Sequence, residues 1–381
     1  MRLAFVVYKY FPYGGLQRDC ARFIEELHQR GHDCRVYCTD WQGGTLAFVD
    51  LRVAPPSRGS NVRRNERFLQ WVQADLATDP VDGIIGFNKM PGLDVYFAGD
   101  PCFIDSALEN RNLLYRLGWR FRHFAAWEKA VFDPASTTRI LLISASEQRK
   151  FERHYHTPSA RMHLLPPGVA TDRRRPPDAV SRRAGARHAL GLTHDVHTLL
   201  FIGSGFITKG LDRAIRALSR LQAAHPGRRM RLLVAGQDRV GRFGILTSRQ
   251  KVHDKVTFLG GRDDIPDLLL AADTLVHPAR SEAAGIVLLE AMVAGLPVIA
   301  TAACGYAHHI EAAGAGIILP EPFNQASLND ALLQTMNAEF LAQCRARGLA
   351  YAGREDLYSQ HITGADIIEQ VLSETVSVSD V

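Results

Sequence analysis

The sequence predicts an α/β protein made of two Rossmann-like, doubly wound domains facing a central cleft. The chain has 381 residues, which is more than one hydrophobic core usually organises, so two domains are expected. Short β-branched segments alternate with amphipathic helical segments, as in parallel sheets, and the alternation occurs in two successive series. A composition of 46% hydrophobic and 22% charged residues is normal for such a globular protein.

The first series of predicted strands begins near the N-terminus. A helix is expected after its first strand, over residues 17–30. This helix should end at Gly31, because glycine readily adopts the left-handed conformation found at helix C-termini. The predicted strands of this series are 3–7, 34–38, 83–87, 95–98 and 139–143.

The second series follows a change in composition. Residues 171–187 are rich in Arg, Pro and Ala and are predicted to be the linker and hinge. We therefore expect domains at 1–170 and 171–356, followed by a segment, 357–381, whose helix over 357–372 can cross back onto the first domain. The predicted strands of the second series are 198–202, 231–235, 255–259, 274–277, 298–301 and 316–319.

The charge of the chain argues against nucleic-acid binding, and its cysteines argue against zinc and disulfides. The formal net charge of +5 is mild, and no basic run interleaved with aromatic residues indicates nucleic-acid binding. The six cysteines show no CxxC pair or metal-ligand spacing, so reduced thiols in the cytoplasm are expected, without zinc or disulfides. We find neither a signal peptide nor an apolar run long enough to span a membrane, and a soluble protein is expected.

The loop after the first strand contains Gly14 and Gly15, directly before a predicted helix. Paired glycines at such a corner let the backbone approach a ligand closely, and the free amides of the helix start attract an anion. A tight turn between strand and helix is an equally common use of two glycines. Both interpretations stay open on this loop alone.

The strand at 198–202 leads into a second glycine-rich loop, 203–210. This loop matches neither the P-loop nor the dinucleotide fingerprint, because Lys209 precedes Gly210 and Thr208 stands where a third glycine is needed. A lysine beside a helix N-terminus suits a diphosphate, since the ammonium group and the free amides together hold negative charge. The alternative is an ordinary surface lysine at a helix start.

A third loop follows the strand at 274–277 and carries two glutamates. Glu282 precedes a predicted helix, and Glu290 lies on the second turn of that helix, on the same face as Ile286. The helix is otherwise almost wholly apolar and should be buried, so Glu290 needs a polar partner, which ribose hydroxyls would supply. We expect Glu282 to reach a sugar at the mouth of the helix.

These loops resemble those of the retaining glycosyltransferases of family 4, which have the GT-B architecture. The Gly14–Gly15 corner, the Lys209–Gly210 turn and the Glu282 and Glu290 pair carry the superfamily likeness. More specific segments, spread over nearly the whole chain, resemble the branch of the family that transfers glucose from UDP-glucose to an inner-core heptose of lipopolysaccharide. These segments are 8–12, 86–96, 166–168 and 304–308.

The resemblance implies a role for each matching residue. Lys209 would neutralise the diphosphate leaving group, and Glu282 would hold the hexose. Asp19 and Asp100 would face the sugar or the acceptor from the first domain. The other implied donor contacts are Gly14, Gly15, Arg173, Gly205, Thr208, Ala283, Ala284, Gly285, Ile286, Val287 and, on the ribose, Glu290. The family needs no metal or cofactor, and UDP-glucose would be a substrate.

The sequence departs from the family pattern at Thr208. The family commonly has Arg-Lys at the diphosphate, whereas Thr208 brings no charge beside Lys209. Either Arg173 supplies the second charge, or donor affinity is weakened. Three alternatives remain: a family 4 enzyme with another sugar or acceptor, a nicotinamide-dependent oxidoreductase on a Rossmann fold, and a catalytically silent relative that docks on membranes.

The segment that starts at Arg111 and ends at Val131 is basic, aromatic and helical in period. Such a helix can lie in the interface of an anionic membrane, or it can pack its apolar side on the first domain. A lipid-linked acceptor favours peripheral association with the cytoplasmic face of the inner membrane. The expected apolar side is Leu114, Leu117, Phe121 and Phe124, and the expected positive charges are Arg116, Arg120, Arg122 and His123.

Overall fold

The computed structural model describes residues 1–12, 14–44 and 46–379, and Tyr13, Thr45 and 380–381 lie outside the described residues. The chain divides into two compact units. Unit 1 comprises Met1–Gly168 and Ser359–Val381, and unit 2 comprises Val169–Tyr358.

Unit 1 contains a parallel sheet of seven strands in the order β5-β3-β1-β6-β7-β8-β9. Two further short strands, β2 and β4, pair with each other in parallel. The bounds are β1 Arg2–Val6, β2 Lys9–Tyr10, β3 Asp33–Cys38, β4 Asp40–Trp41, β5 Val49–Val53, β6 Gly83–Gly86, β7 Val95–Ala98, β8 Arg139–Leu142 and β9 Met162–Leu164.

The helices of unit 1 include one from the C-terminal end of the chain, α15 (Gln360–Ser379), which packs against α1 (Gly15–Gln29). Arg30, directly after α1, pairs with Asp366 at 2.6 Å and with Glu369 at 2.8 Å. The other helices are α2 Asn61–Thr78, α3 Phe103–Asn110, α4 Leu113–Leu117, α5 Trp119–Phe132 and α6 Ala145–Tyr155, with a 3-10 turn at Ser159–Arg161.

Unit 2 contains a second parallel sheet, in the order β12-β11-β10-β13-β14-β15. Its strands are β10 His197–Ile202, β11 Met230–Ala235, β12 Val256–Gly260, β13 Thr274–His277, β14 Val298–Thr301 and β15 Gly316–Leu319. Its helices are α7 Ala179–Ala189, α8 Leu211–Ala224, α9 Gly241–Arg249, α10 Ile265–Ala271, α11 Ile286–Val293, α12 Ala307–Ala313, α13 Gln325–Gln334 and α14 Ala338–Ala352, with 3-10 turns at Thr171–Arg173 and His253–Lys255.

The central strands of both sheets are buried on both faces, which is why they read as continuous apolar runs rather than as alternating ones. In β1, Leu3, Ala4, Phe5 and Val6 are all 0% exposed. In unit 2, β14 is fully buried from Val298 to Thr301. Helices pack these strands from both sides, so each unit has a hydrophobic core of its own.

The order of the strands indicates the edge of each sheet at which a ligand is expected to bind. In unit 1 the chain leaves β1 towards β3 on one side, while β6 pairs with β1 on the other. In unit 2, β10 lies likewise between β11 and β13. Ligands of such sheets bind beyond the carboxyl ends of the strands, where the order reverses. The loops after β1, β6 and β7 in unit 1, and after β10, β13 and β14 in unit 2, lie at these edges.

Eleven strands, predicted as 3–7, 34–38, 83–87, 95–98 and 139–143 and the six of the second series, are confirmed to within one residue at each end. Gly31 adopts the expected left-handed conformation, with φ +87°. Two strands of the main sheet, β5 and β9, were not predicted, because they lie at its edges and carry polar residues.

Two other expectations are wrong. Residues 171–187 are not a linker, because they form a 3-10 turn and most of α7 within unit 2. The segment 111–131 is not one helix, because the backbone is extended at Gly118, with ψ 150°, between α4 and α5. The predicted helix at 357–372 begins three residues later, at Gln360, and continues to Ser379.

Candidate active site

The loop after β10 ends at Gly210, the N-cap of α8. Gly210 has a left-handed φ of +79°, and a β-carbon there would lie 2.0 Å from the carbonyl oxygen of Pro278. Only glycine fits this position, so the close contact fixes the loop after β10 against the loop after β13. In the first turn of α8, the amide of Leu211 donates to the carbonyl oxygen of Phe206 and that of Arg213 to the carbonyl oxygen of Gly210, both at 2.9 Å.

Lys209 forms an ion pair with Glu282 at this edge. The side chains are 21% and 16% exposed, respectively. The structure thus brings together two residues that were predicted to contact the donor. Lys209 is therefore not an ordinary surface lysine, since its ammonium group is partly buried and already has a carboxylate partner.

Glu282 is held in its ionised form. Desolvation raises the pKa of its carboxyl, but a hydrogen bond from His277 and the charge of Lys209 outweigh this effect and bring the pKa to about 2. The Nε2 atom of His277 lies 3.4 Å from Glu282, and the His277 side chain is 1% exposed. His277 was not predicted as a site residue. Its position as the last residue of β13 was the available signal, because such residues border the ligand edge.

The segment from Glu282 to Ala284 is tied to the loop after β14. The amide of Gly305 donates to the carbonyl oxygen of Glu282 at 3.1 Å, and that of Tyr306 donates to Ala284 at 2.7 Å. A β-carbon on Gly305 would lie 2.0 Å from the carbonyl oxygen of Ala283. This explains physically why the segment 304–308 contains a glycine, and it also fixes the backbone that leads into α11.

The start of α11 contains the remaining predicted hexose contacts. Gly285 is the N-cap, with φ +84°, so the chain turns sharply there and the amides of Ile286 and Val287 lie in the first turn without an acceptor inside the helix. Ala283, Ala284 and Val287 are buried. These residues present backbone donors rather than side chains to the ligand edge.

Glu290 lies inside α11, 4% exposed. Its carboxylate lies 3.3 Å from Nε of Arg173, which is also buried. Arg173 thus supplies the polar partner that the buried Glu290 was expected to need, and the contact of Glu290 with ribose hydroxyls stays a prediction. The structure thus brings two predicted donor residues together.

The loop residues Gly205 and Thr208 are exposed. The amide of Arg280 donates to the carbonyl oxygen of Thr208 at 2.7 Å, and its guanidinium pairs with Asp212 on α8. Arg280 braces the loop that carries Lys209. It was not predicted, because nothing in the sequence shows that residue 280 lies beside residue 208.

In unit 1, Gly14 is the N-cap of α1 and Gly15 its first residue, so this corner combines a strand-to-helix turn with a set of free helix amides. Asp19 lies on the second turn, with Oδ1 3.3 Å from Nε2 of His361 on α15. His361 was not predicted, because it is contributed by the distant C-terminal segment.

Asp100 follows β7 and reaches solvent. The surrounding protein desolvates its carboxyl and raises its pKa, although the charge of Lys89 opposes this shift. Lys89 donates to the carbonyl oxygen of Pro101 at 2.7 Å and pairs with the fully buried Glu128. Asp19 and Asp100 therefore lie in different surroundings.

Within 1–12, 14–44 and 46–379, no group of three or more His, Cys, Asp or Glu side chains is placed to hold a metal ion. Over the same residues no helix is both long and apolar enough to cross a membrane. All six cysteines are buried and none is bonded to another. Metal independence stays a prediction.

Residues 184–355 match the model of the glycosyl transferases group 1 family, and residues 13–173 match that of glycosyltransferase family 4. The chain is 42% identical to the lipopolysaccharide glucosyltransferase WaaG of Escherichia coli K12 over 97% of this chain and 98% of that protein.

Solved structures give the same result. A crystal structure of WaaG, a glycosyltransferase involved in lipopolysaccharide biosynthesis, superposes with a TM-score of 0.93 at 41% identity, covering 96% of this chain and 99% of that one. A sucrose-phosphate synthase from Thermosynechococcus elongatus shares the fold alone, with a TM-score of 0.79 at 18% identity, covering 98% and 99% of the two chains.

Two Rossmann-like units, with a lysine and a glutamate paired beside a helix N-terminus at a ligand edge, define a glycosyltransferase of the GT-B fold. More narrowly, the chain belongs to glycosyltransferase family 4, together with the lipopolysaccharide glucosyltransferase WaaG.

Proposed function

We propose that this protein transfers glucose from UDP-glucose to an inner-core heptose of lipopolysaccharide, with retention of the anomeric configuration. The observation that carries the proposal is the Lys209 and Glu282 pair at the start of α8, in a chain similar to a lipopolysaccharide glucosyltransferase over nearly its whole length. A cation beside a helix N-terminus suits a diphosphate, and a carboxylate next to it suits sugar hydroxyls.

Donor binding exchanges the partners of this pair. The diphosphate forms an ion pair with the Lys209 ammonium group. Glu282 then accepts hydrogen bonds from the hexose and keeps its contact with His277. The exchange replaces one ion pair by another, so neither charge is left alone in a partly buried place. As the glycosidic bond breaks, the charge on the departing phosphate grows and its attraction to Lys209 strengthens.

The remaining donor contacts follow α11 and the glycine loops. Backbone amides from Ala284 to Val287 hold the hexose, Glu290 with Arg173 holds the ribose, and Gly205 and Thr208 contact the phosphates. The predicted phosphate contacts from unit 1 are Gly14 and Gly15. Asp19 and Asp100 contact the sugar or the acceptor. A departing phosphate oxygen removes the acceptor proton on the same face, so the reaction needs neither a metal nor a protein nucleophile.

The direct test combines donor binding with product analysis. Thermal shift with a panel of nucleotide sugars should raise the melting temperature most with UDP-glucose, because a ligand that binds only the folded state stabilises it. Incubation with UDP-[14C]glucose and heptose-terminated lipopolysaccharide core should then label the core in the presence of EDTA, with an α-linked product by NMR.

Four outcomes would overturn this proposal in different ways. A larger thermal shift with another nucleotide sugar changes the donor, and labelling of a different acceptor changes the acceptor. Absence of transfer despite UDP-glucose binding indicates the catalytically silent relative. Binding of labelled NAD, without any response to nucleotide sugars, would restore the oxidoreductase alternative.

We also propose that unit 1 docks on the cytoplasmic face of the inner membrane through α4 and the start of α5. The exposed apolar side chains there are Leu113 (69%), Leu114 (79%), Leu117 (61%) and Trp119 (58%). Phe121 and Phe124, which were expected beside them, instead pack on Phe103 of α3. The apolar surface is therefore displaced towards α4 from the position expected from the sequence.

Basic residues around this surface suit anionic lipids, because each arginine near such a membrane adds about 1 kcal/mol of attraction. Arg111, Arg120 and Arg122 are exposed. His123 does not contribute, contrary to expectation, because its side chain is 7% exposed beside Glu66, and desolvation lowers its pKa.

Sedimentation with phosphatidylglycerol vesicles tests the docking surface. The triple variant Leu113→Ser, Leu114→Ser, Leu117→Ser should reduce the bound fraction at least tenfold, since three apolar side chains no longer enter the interface. Val180→Ser and Ile245→Ser, at positions 78% and 58% exposed in unit 2, are the matched controls. Equal binding of the triple variant and the controls would contradict the assignment.

A further inference from the structure

A stacked aromatic pair lies beyond the carboxyl ends of β1 and β3 in unit 1. The rings of Tyr10 and Trp41 are 3.8 Å apart with an interplanar angle of 8°. They are directly opposite each other in the short β2–β4 ladder, so both side chains project from the same face of it. Both residues are partly exposed.

Hydrogen bonds on both sides hold the backbone of the stacked pair in place. The amide of Gln42 donates to the carbonyl oxygen of Tyr10 at 3.0 Å, and that of Thr39 donates to Tyr8 at 2.9 Å. The side chain of Gln17 on α1 donates to the carbonyl oxygen of Lys9 at 2.9 Å. The ladder is therefore fixed both to the main sheet and to the helix that starts at Gly15.

A second stacked pair in the same unit lies at the opposite edge of the sheet and serves as a comparison. His28 and Phe48 stack with nearly the same geometry, 3.9 Å and 6°. His28 is near the C-terminus of α1, and Phe48 precedes β5, so this pair lies at the amino ends of the strands. Ligands of parallel sheets bind at the opposite edge, where Tyr10 and Trp41 lie.

We propose that the stacked Tyr10 and Trp41 form a platform for a pyranose ring of the saccharide acceptor, which packs on the ring face that the pair leaves uncovered. The C–H face of a pyranose packs on flat aromatic rings, and such sites combine aromatic surface with a few polar groups. Exposed Lys9 and Gln42 and the partly exposed Asp40 flank the pair and suit the hydroxyls at the rim of the ring. The inference rests on the proposed function, because it concerns the same acceptor.

Calorimetric titration with deacylated, heptose-terminated core oligosaccharide, without donor, measures this binding independently of catalysis. Trp41→Ala and Tyr10→Ala should each weaken binding about tenfold, the scale of one lost stacking contact. Trp41→Phe should restore most of the affinity. Phe48→Ala, in the pair at the other edge, should leave it unchanged, and the melting temperature of every variant should stay near that of the wild type.

The outcomes separate the inference from the function on which it rests. A wild-type protein that ignores the oligosaccharide and transfers nothing to it overturns the proposed acceptor, and the platform with it. Wild-type binding that persists in Trp41→Ala and Tyr10→Ala overturns the platform alone. A change in UDP-glucose affinity, with acceptor binding unaltered, would likewise reject an acceptor site.

Discussion

In unit 2, Glu282 contacts both Lys209 and His277, and its pKa falls to about 2. In unit 1, Asp100 occupies a similar place after a parallel strand, yet its pKa is raised because desolvation outweighs the charge of Lys89. The same chemical group at the same type of edge is thus stabilised as an anion in one unit and destabilised in the other. The difference lies in the partners, because Glu282 has both His277 and Lys209 in contact, whereas Asp100 has only the more distant charge of Lys89 to oppose desolvation.

The largest effect is expected from removing the cation of unit 2. Lys209→Ala should lower kcat by about a hundredfold to a thousandfold, because a positioned charge at the leaving group is lost. Steady-state transfer kinetics measure the change in kcat, and an unchanged melting temperature shows that the fold is intact.

The matched control is Lys255→Ala, which removes a lysine of the same unit that also has an acidic partner, Asp254 at 2.8 Å. This variant should retain normal turnover, and normal turnover in Lys209→Ala would contradict the assignment.

A large effect on stability is expected at the buried ion pair. Glu290→Ala leaves the buried guanidinium of Arg173 without this carboxylate, which should cost about 3 kcal/mol in the free energy of unfolding. The matched control is Asp267→Ala, which breaks an exposed pair with Arg182 and should cost less than about 1 kcal/mol. Denaturant titration measures the free energy of unfolding of both variants. Similar decreases in the two variants would show that burial does not make the Arg173 and Glu290 pair more important for stability than an exposed pair.

The pH dependence of stability should differ between wild type and Glu282→Gln. Because folding lowers the pKa of Glu282 to about 2, its ionised form stabilises the folded state above the unfolded pKa of about 4.3. That contribution is lost as the pH falls from there towards 2. Glu282→Gln should therefore melt below the wild type at pH 7, with a gap that shrinks in acid, whereas a constant gap would indicate a role independent of charge.

The smallest effect, of opposite sign, is expected in unit 1. Because folding raises the pKa of Asp100, its ionised form opposes folding, and this penalty grows as the pH rises through the folded pKa. Asp100→Asn should therefore keep or slightly raise the melting temperature at pH 7. A loss as large as that of Glu282→Gln would remove the contrast between the two edges.

Much of the architecture was predictable from the sequence. Central strands such as β7 and β13 are buried on both faces and read as apolar runs, so their bounds were predicted without error. The edge strand β5 alternates apolar residues with Asp50 and Arg52, which resembles a polar loop, and it was missed. Gly118 looks tolerable within a helical period, but its extended backbone separates α4 from α5.

The site was predictable only in part, for a similar reason. Loops after strands, together with glycines and charged residues, pointed to Lys209, Glu282 and Glu290, because parallel sheets bring these loops to one edge. The partners of these residues were not predictable. Arg173 lies 117 positions from Glu290 in the chain, and neither its distance nor its direction follows from a local pattern.

The sequence by itself determined the parallel α/β class, the central strands and the loops that carry the predicted site residues. These features follow from the spacing of apolar residues and from turn-forming residues, which are visible within a few neighbouring positions. Only the tertiary structure decided that His277 and Lys209 hold Glu282 ionised, that Arg173 neutralises Glu290, and that Tyr10 stacks on Trp41. These properties depend on burial and on distances between residues far apart in the chain, which are fixed only when the sheets assemble.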